Sequence, residues 1–556
     1  MTNPLSIRAI WLTCAALLFS SVGYATGSSL VYSTYVGDWY VYAVAVDPGG
    51  NAYLAGTVVS PAVFPSKFPP AVGAQKTFGG GNTDAFVAKV SADGGSFLWA
   101  TYLGGSSDEL ATAIAVDPQG SVVVAGRTFS SDFPIKDGFQ NSGPAFVTRL
   151  SSDGGRILYS TRFGGSGGEL INAIAVDSAG AIFLVGESTS ADFPAVNAFQ
   201  TVRRGGTDAF AAKIDSSGAL AYATLLGGDS FDEAYGVAVD RAGRAFVTGY
   251  TYSENLPVRN GPRAVFAGGN DGFLAVLSPD GAALLASTYF GGIGRDVGHG
   301  VAVRQAADGS ESVLLVGSQD PPDAPKANGA KTLAPAHAPE GSLVYETLLR
   351  FTASPSSLSV TRSLDGGLPG VAIAAAATAS GFAAAGQTDS AKLVARDPIQ
   401  ASLKGVQNLF LQDLDAAGDL RFSSYLGSSG RNVAAGLAVN GGDLFVAGSD
   451  DASDLLLKNG IGGYTGGNFL ARISPGSDAP APCVAGTAAL CLKDGRFRVT
   501  VSWRVPSQNR SGSGQAVSLG SESGYFWFYS AGTIELAVKI VDGRAFNDRF
   551  WFFCGG

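Results

Sequence analysis

Short apolar stretches rich in Val, Ala, Ile and Phe alternate along the chain with clusters of Gly, Asp, Ser and Pro. The pattern is clearest after Ala113. "AIAVD" ends at Asp117, Pro118-Gln119-Gly120 turns the chain, and "SVVVAG" follows. An excursion, "RTFSSDFPIKDGFQNSG", leads to "AFVTRLS" from Ala145, the turn Ser152-Asp153-Gly154-Gly155, and "RILYSTRFGG". Short apolar runs bounded by Asp, Pro and Gly predict four strands joined by tight turns.

This unit recurs. "ATYLGGSSDELATAIAVDPQGSVVVAGRT" from Ala100, "STRFGGSGGELINAIAVDSAGAIFLVGES" from Ser160 and "ATLLGGDSFDEAYGVAVDRAGRAFVTGYT" from Ala223 are close copies, and others begin at Ser33, Ser287, Thr361 and Ser423. Anchored on one Thr or Ser, the copies fall at 34, 101, 161, 224, 288, 361 and 424. A period in the sixties that holds four strands is one propeller blade, so seven copies predict an all-β, seven-bladed β-propeller. The first strands carry alternate small residues, as at Ala113 and Ala115, Gly236 and Ala238, and Gly300 and Ala302. Small residues suit a crowded axis, which places these strands innermost. The last unit supplies only "GLAVN", "DLFVAG" and "NFLARIS". Ser29–Gly37 matches the fourth-strand phrase and is predicted to complete the seventh blade against the strand around Phe469–Ile473, removing an open edge.

The consensus "YSTYLGGS…AIAVD..G..YVTG.T.S.DFP…FQ….GG.DAFVAKL..DG" resembles the bacterial SBBP family of β-propeller repeat proteins. The resemblance covers about residues 30–476 and is strong in five copies. It weakens in the copies near Thr361 and Ser423 and breaks at the insert 318–343. It implies a secreted or surface-associated propeller with no general activity attached to the fold.

Composition narrows the class. Of 556 residues 46% are hydrophobic and 15% charged, against a usual charged share of about 25%. The chain is too apolar for disorder, and its 77 glycines follow no three-residue period, which excludes collagen. A net charge of −9 argues against a nucleic-acid partner and against electrostatic attachment to anionic lipid. Residues 1–25 read as a secretory signal peptide: Arg8, an apolar run from Ala9 to about Phe19, and Gly23-Tyr24-Ala25 before the cut. That run is too short to span a membrane, and no later stretch spans one. The protein is therefore expected to be secreted or held at the cell surface.

After residues 26–476, the propeller, a Pro-rich linker occupies 477–482 and a small β-rich module 483–556. "LCLKDGRFRV", "GYFWF" and "ELAVKIVDGR" resemble a C-terminal module appended to many exported bacterial proteins. Such modules continue past "FWFF", so this one is expected to be truncated. Its aromatics, Trp503, Phe526, Trp527, Phe528 and Trp551, read as its core rather than as a sugar platform. Export permits disulfides, and Cys483 and Cys491 are close enough to bridge, leaving Cys554 odd. No His lies near them to make a zinc site.

Only two histidines are present, His299 on the fifth innermost strand and His337 in the insert, and no nucleophile elbow or H-E-x-x-H motif accompanies them. His299 reads as a channel-facing residue equivalent to Tyr235, Thr112 and Asn172. Ser91–Gly95 and Ser151–Gly155 resemble the start of sialidase-type Asp boxes and read as hairpin turns. Eight residues before the Asp that closes each first strand stand Glu109, Glu169 and Asp232, with Asp296 at that place in the fifth copy, Trp39 in the first and Asn432 in the last. These carboxylates are expected to ring the channel entrance, either as solvated loop ends or as oxygen ligands of a Ca²⁺ ion. Lys89, Arg149, Lys213, Arg350 and Arg472 recur on third strands and are expected along outer blade edges. No catalytic residue, metal site or resident cofactor is predicted. The favoured function is a non-enzymatic propeller that binds a protein or glycan ligand over one rim. The alternative is a carbohydrate-active lyase or hydrolase that uses carboxylates at the channel mouth.

Overall fold

The computed structural model describes residues 27–61, 68–69, 71–306, 308–319, 343–354, 356–363 and 368–476, with eight short strands between 490 and 555. The chain divides into a compact unit, Ser28–Pro475, and a second that contains Gly476–Gly556.

Turn chemistry sets the strand boundaries in the first unit. The carboxylate of Asp117, which closes a first strand, accepts backbone N–H groups from Gln119 at 3.0 Å and Ser121 at 2.8 Å. Gly120 supplies the φ of 82° that the turn requires. Asp47, Asp177 and Asp240 repeat the device. The S-x-D-x-G segments are turns as well: Ser91 Oγ donates to Asp93 at 2.6 Å and Gly95 N at 3.0 Å.

These hairpins build seven four-stranded antiparallel sheets. Six are consecutive in sequence. Blade 1 spans Tyr40–Leu103, blade 2 Glu109–Phe163, blade 3 Glu169–Leu226, blade 4 Asp232–Phe290, blade 5 Asp296–Ser363 and blade 6 Val371–Leu426. Blade 7 comprises Asn432–Asn440, Asp443–Asp450 and Gly467–Ser474, and Ser29–Gly37 adds the fourth strand. Leu30 lies opposite Ile473 and Tyr35 opposite Phe469, the closure predicted from sequence. The chain is a closed seven-bladed propeller in which the N-terminal strand joins the two ends of the ring.

Apolar faces pack between blades. Phe183 and Tyr222 of blade 3 meet Val247 and Phe273 of blade 4, and Leu426 of blade 6 meets Tyr35 and Phe469 of blade 7. Near the axis there is no room for larger side chains: a β-carbon on Gly300 would lie 2.8 Å from Ala375 N in the next blade.

Every innermost strand carries a one-residue bulge at the same place. The skipped residues are Tyr42, Thr112, Asn172, Tyr235, His299, Ile373 and Ala435. A glycine of the second strand faces each bulge, as Gly126 faces Ala111. The bulge pushes a carbonyl towards that glycine, so that a β-carbon on Gly126 would lie 1.9 Å from the Leu110 oxygen.

Outer edges are covered by the excursion loops rather than by third-strand cations, which corrects the expectation for Lys89, Arg149 and Arg472. Lys136, Val196, Arg259, Arg396 and Lys458 each make a single bridge to the fourth strand of their own blade. The next residue in each loop, Asp137, Asn197, Asn260, Asp397 or Asn459, is left-handed, with φ between 45° and 53°. The third-strand cations instead pair inside the blade: Lys89 with Asp47 at 3.0 Å, Arg149 with Asp117 at 3.4 Å and Arg472 with Asp443 at 2.7 Å.

In the second unit, Gln515–Ser518, Ser523–Trp527, Leu536–Asp542 and Phe550–Gly555 form an antiparallel sheet, and two two-stranded ladders precede it. Cys491 stands opposite Arg498 and Cys554 opposite Val538. The signal segment, the linker, His337 and the Cys483–Cys491 bridge fall outside the described residues.

Candidate functional site at the channel mouth

Strand parity decides which side chains reach the channel. Glu109, Glu169, Asp232, Asp296 and Asn432 open the first strands of their blades, and all are at most 1% exposed. They do not line the channel entrance. Each turns outward to staple its own blade. Backbone N–H groups of the preceding turn donate to them: Gly105 to Glu109 at 3.0 Å, Gly165 to Glu169 at 3.2 Å, Gly228 to Asp232 at 2.9 Å and Gly292 to Asp296 at 3.0 Å. Second-strand hydroxyls add to this, Thr128 on Glu109 and Ser188 on Glu169, both at 2.7 Å. Trp39, in the same place in blade 1, is buried against Phe86. The expected ring of channel carboxylates is thus corrected. Among the described residues no cluster of three or more His, Cys, Asp or Glu is arranged to hold a metal ion.

Next to this position in blade 4, chemically unlike residues gather. Glu233 follows Asp232, and Glu187 of blade 3 is hydrogen-bonded to it. Burial and the Glu233 charge push Glu187 up to about 8, partly offset by Arg127. Tyr235 Oη donates to Glu233 at 2.7 Å, and its ring lies 5.8 Å from Tyr250 and 5.7 Å from His299. Burial and Glu233 push both tyrosine hydroxyls upward, so they remain donors. His299 Nε2 is 3.3 Å from Ser318 Oγ. A chain of contacts therefore runs from Glu187 of blade 3 through Glu233 and Tyr235 of blade 4 to His299 and Ser318 of blade 5.

The bulges aim this network. Besides Tyr235 and His299, Asn172 Nδ2 donates to the Ala234 carbonyl at 2.9 Å, and Thr112 Oγ1 donates to that of Ile171. Thr112, Asn172 and Tyr235 thus each reach the next blade.

At the same end the mouth is rimmed by open aromatic rings: Phe129 (61% exposed), Tyr40 (54%), Phe231 (53%), Tyr42 (42%) and Tyr252 (41%). Tyr40 and Tyr42 stack at 6.4 Å, and Arg127 lies over the Phe129 ring at 4.6 Å. At the far end a cavity of about 360 Å³ is lined by Val46, Val116, Asp117, Asp177, Val439 and Asn440. Its carboxylates are committed to their turns, so the aromatic mouth is the richer surface. Sequence reasoning missed Arg127, Glu187, Glu233 and Tyr250. The signal was present in the recurrent glycine of the second strand, which marks the bulge.

A β-propeller repeat model, SBBP, matches residues 158–194 and 221–257, each running from a fourth strand through the next blade's inner hairpin. The chain carries SBBP β-propeller repeats. A curated relative is regulatory protein FlaEY of Caulobacter vibrioides, 30% identical over 243 residues, covering 40% of this chain. The chain spans only 25% of that relative's length. Among solved structures, a protein of unknown function from Dyadobacter fermentans is 13% identical, with 81% of this chain and 99% of that one covered and a TM-score of 0.37. The β-propeller domain of the Trilobed protease from Pyrococcus furiosus is 8% identical, with 75% and 92% covered and the same TM-score. Neither likeness bears on the activity of this SBBP protein.

Proposed function

We propose that this SBBP protein is an exported, non-enzymatic binding module whose ligand, a glycan, docks at the aromatic mouth of the channel. The observation that carries this reading is the set of five exposed rings around a hydrogen-bonded acid pair. Aromatic faces offer apolar platforms to sugar C–H groups, and the neighbouring polar side chains supply orienting hydrogen bonds. Glu187, protonated near neutral pH, and Glu233 together offer a donor and an acceptor to sugar hydroxyls. Export is supported by the n-region, apolar run and small-residue cut of residues 1–25.

The pair also weighs against glycoside hydrolysis. Paired catalytic carboxyls stand roughly 5 to 9.5 Å apart to admit a sugar carbon or a water, whereas Glu187 and Glu233 bond directly to each other. A glycan-array screen of residues 26–556 tests the reading. Binding that Phe231→Ala and Tyr252→Ala both abolish is expected. No bound glycan, binding indifferent to both variants, or release of new reducing ends from a bound glycan would overturn it.

A further inference from the structure

Between successive blades, a residue near the start of one third strand faces the residue that opens the next first strand. The pairs are Asp84 with Glu109, Asp208 with Asp232, Asp271 with Asp296, and Asn408 with Asn432. A conserved-geometry glycine marks each meeting point: a β-carbon on Gly104 would lie 2.5 Å from Glu109 Oε2 and 2.7 Å from Asp84 Oδ1. On Gly291 it would lie against Asp296 and 3.0 Å from Asp271 Oδ1, and on Gly427 against Asn408 Nδ2 and Asn432 Oδ1. At the blade 2–3 seam Glu169 has Pro144 beside it and no second acid.

The amide pair reveals what the acid pairs hold. Asn408 Oδ1 accepts from Lys404 N and Gln400 Nε2, both at 2.8 Å, which turns Nδ2 across the seam to donate to Asn432 Oδ1 at 3.0 Å. Asp84 is held the same way: Oδ2 accepts from Gly79 N at 2.6 Å, leaving Oδ1 against Glu109. Asp271 Oδ2 accepts from Ala267 N at 2.9 Å and lies 3.4 Å from Arg263, leaving Oδ1 against Asp296. Both aspartates are 0% exposed, and among the described residues no amide, hydroxyl or cationic donor reaches either Oδ1. The orphaned oxygens occupy the place of a donating amide nitrogen.

We propose that the Asp84–Glu109 and Asp271–Asp296 pairs are buried proton-binding sites, each sharing one proton between its two carboxyl groups across the seam. Two ionised carboxylates in dry contact repel, whereas a shared proton turns the contact into a strong hydrogen bond. The two seams are therefore latched at acidic to neutral pH and weaken as pH rises. Burial carries both aspartates up to about 7. The groups facing the first pair are Asp108, Tyr102 and Arg162, and those facing the second are Arg263 and Tyr289. Asp208 lies outside the proposal, because Gly205 N at 2.9 Å on Oδ1 and Gln200 Nε2 at 2.7 Å on Oδ2 already satisfy both oxygens.

A raised carboxyl holds a proton in the folded state that the unfolded chain has lost, so its stabilisation fades as pH rises from about 4 to about 7. Thermal unfolding of the exported chain is measured at pH 5.5 and 8.5 in a Glu187→Gln background, since Glu187 titrates in the same range. The parent's Tm is expected to fall between the two pH values, with the fall reduced in Asp84→Asn/Asp271→Asn and unchanged in Asp208→Asn. An equal fall in the double variant overturns the proposal. So does a Tm rise on adding Ca²⁺ at pH 8.5 that the double variant lacks, which would make the pairs cation sites. If the double variant does not fold, infrared titration of the parent decides: a protonated-carboxyl band lost near pH 7 supports the proposal, and its absence overturns it.

Discussion

The hydroxyl of Tyr35, on the N-terminal strand, donates to the carboxylate of Asp450, which ends the second strand of blade 7. Leu455 N donates in turn to the Tyr35 oxygen at 3.3 Å, so a side chain from the start of the chain organises a loop near its end. Burial and Asp450 push the Tyr35 hydroxyl upward, and it stays a donor at all accessible pH values.

Closure is therefore both a ladder and a side-chain contact. Asp450 also accepts from Ser428, from Asn432 at 2.9 Å and from Ala452 N at 3.0 Å. Those three donors all fall on Oδ1, so Tyr35→Phe leaves the buried Oδ2 without its donor and should cost about 2 kcal/mol in denaturant unfolding. Deleting residues 26–36 exposes the whole edge of Gly467–Ser474 and should abolish single-transition melting of the disc by calorimetry.

The bulges make a sharper claim. Gly126 has an ordinary backbone conformation, but an added methyl would enter the Leu110 carbonyl at 1.9 Å. Gly126→Ala should destabilise the propeller by roughly 3 kcal/mol, the upper part of the range for overpacking, as read by urea midpoint. Gly441→Ala, in an open turn with nothing within 4 Å, tests backbone strain alone because its φ is 59°, and should cost about 1 kcal/mol.

Lys89 and Asp47 form an ion pair with side chains only 12% and 11% exposed. Burial pushes the Asp47 carboxyl up, but hydrogen bonds from Asn51 and Lys89 outweigh this and hold it below its usual value. Lys89→Met removes the charge partner while Asn51 and Tyr53 still donate to both Asp47 oxygens, and should cost about 2 kcal/mol at pH 7. The stability owed to Asp47 is present above about pH 4 and lost as pH falls through its lowered pKa. The gap between variant and parent should accordingly narrow in acid unfolding measurements.

At the channel mouth, Glu187 is raised to about 8. The folded chain keeps its proton between about pH 4 and 8 while the unfolded chain does not, so its contribution declines as pH rises through that window. Glu187→Gln should flatten this decline in Tm against pH and leave the fold intact by circular dichroism.

The repeat, the blade count and the closing strand were legible in the sequence, because a two-residue alternation, a turn signature and a recurring phrase are local properties. The pairing of Ser29–Gly37 with the strand around Phe469–Ile473 followed from matching it to the fourth-strand phrase. The direction in which each side chain points was not local. One skipped residue per inner strand, Thr112 or Asn172 for example, shifts the register, and a shift of one residue in a strand exchanges its two faces. Counted as a plain strand opening, Glu109 was expected in the channel. In the folded disc it is buried against Asp84 of the neighbouring blade, and Glu233, one place later in its own strand, reaches the channel instead. Third-strand cations went astray for a related reason: Lys89 finds Asp47 only because the hairpins bring strands one and three of a blade to the same end. The sequence by itself determined how many strands form, in what order and where the ring shuts, since hydrophobic period and turn residues encode those. Only the tertiary structure decided which carboxylates meet one another and which meet solvent, because that depends on the parity set by the bulges and on the packing of one blade against the next.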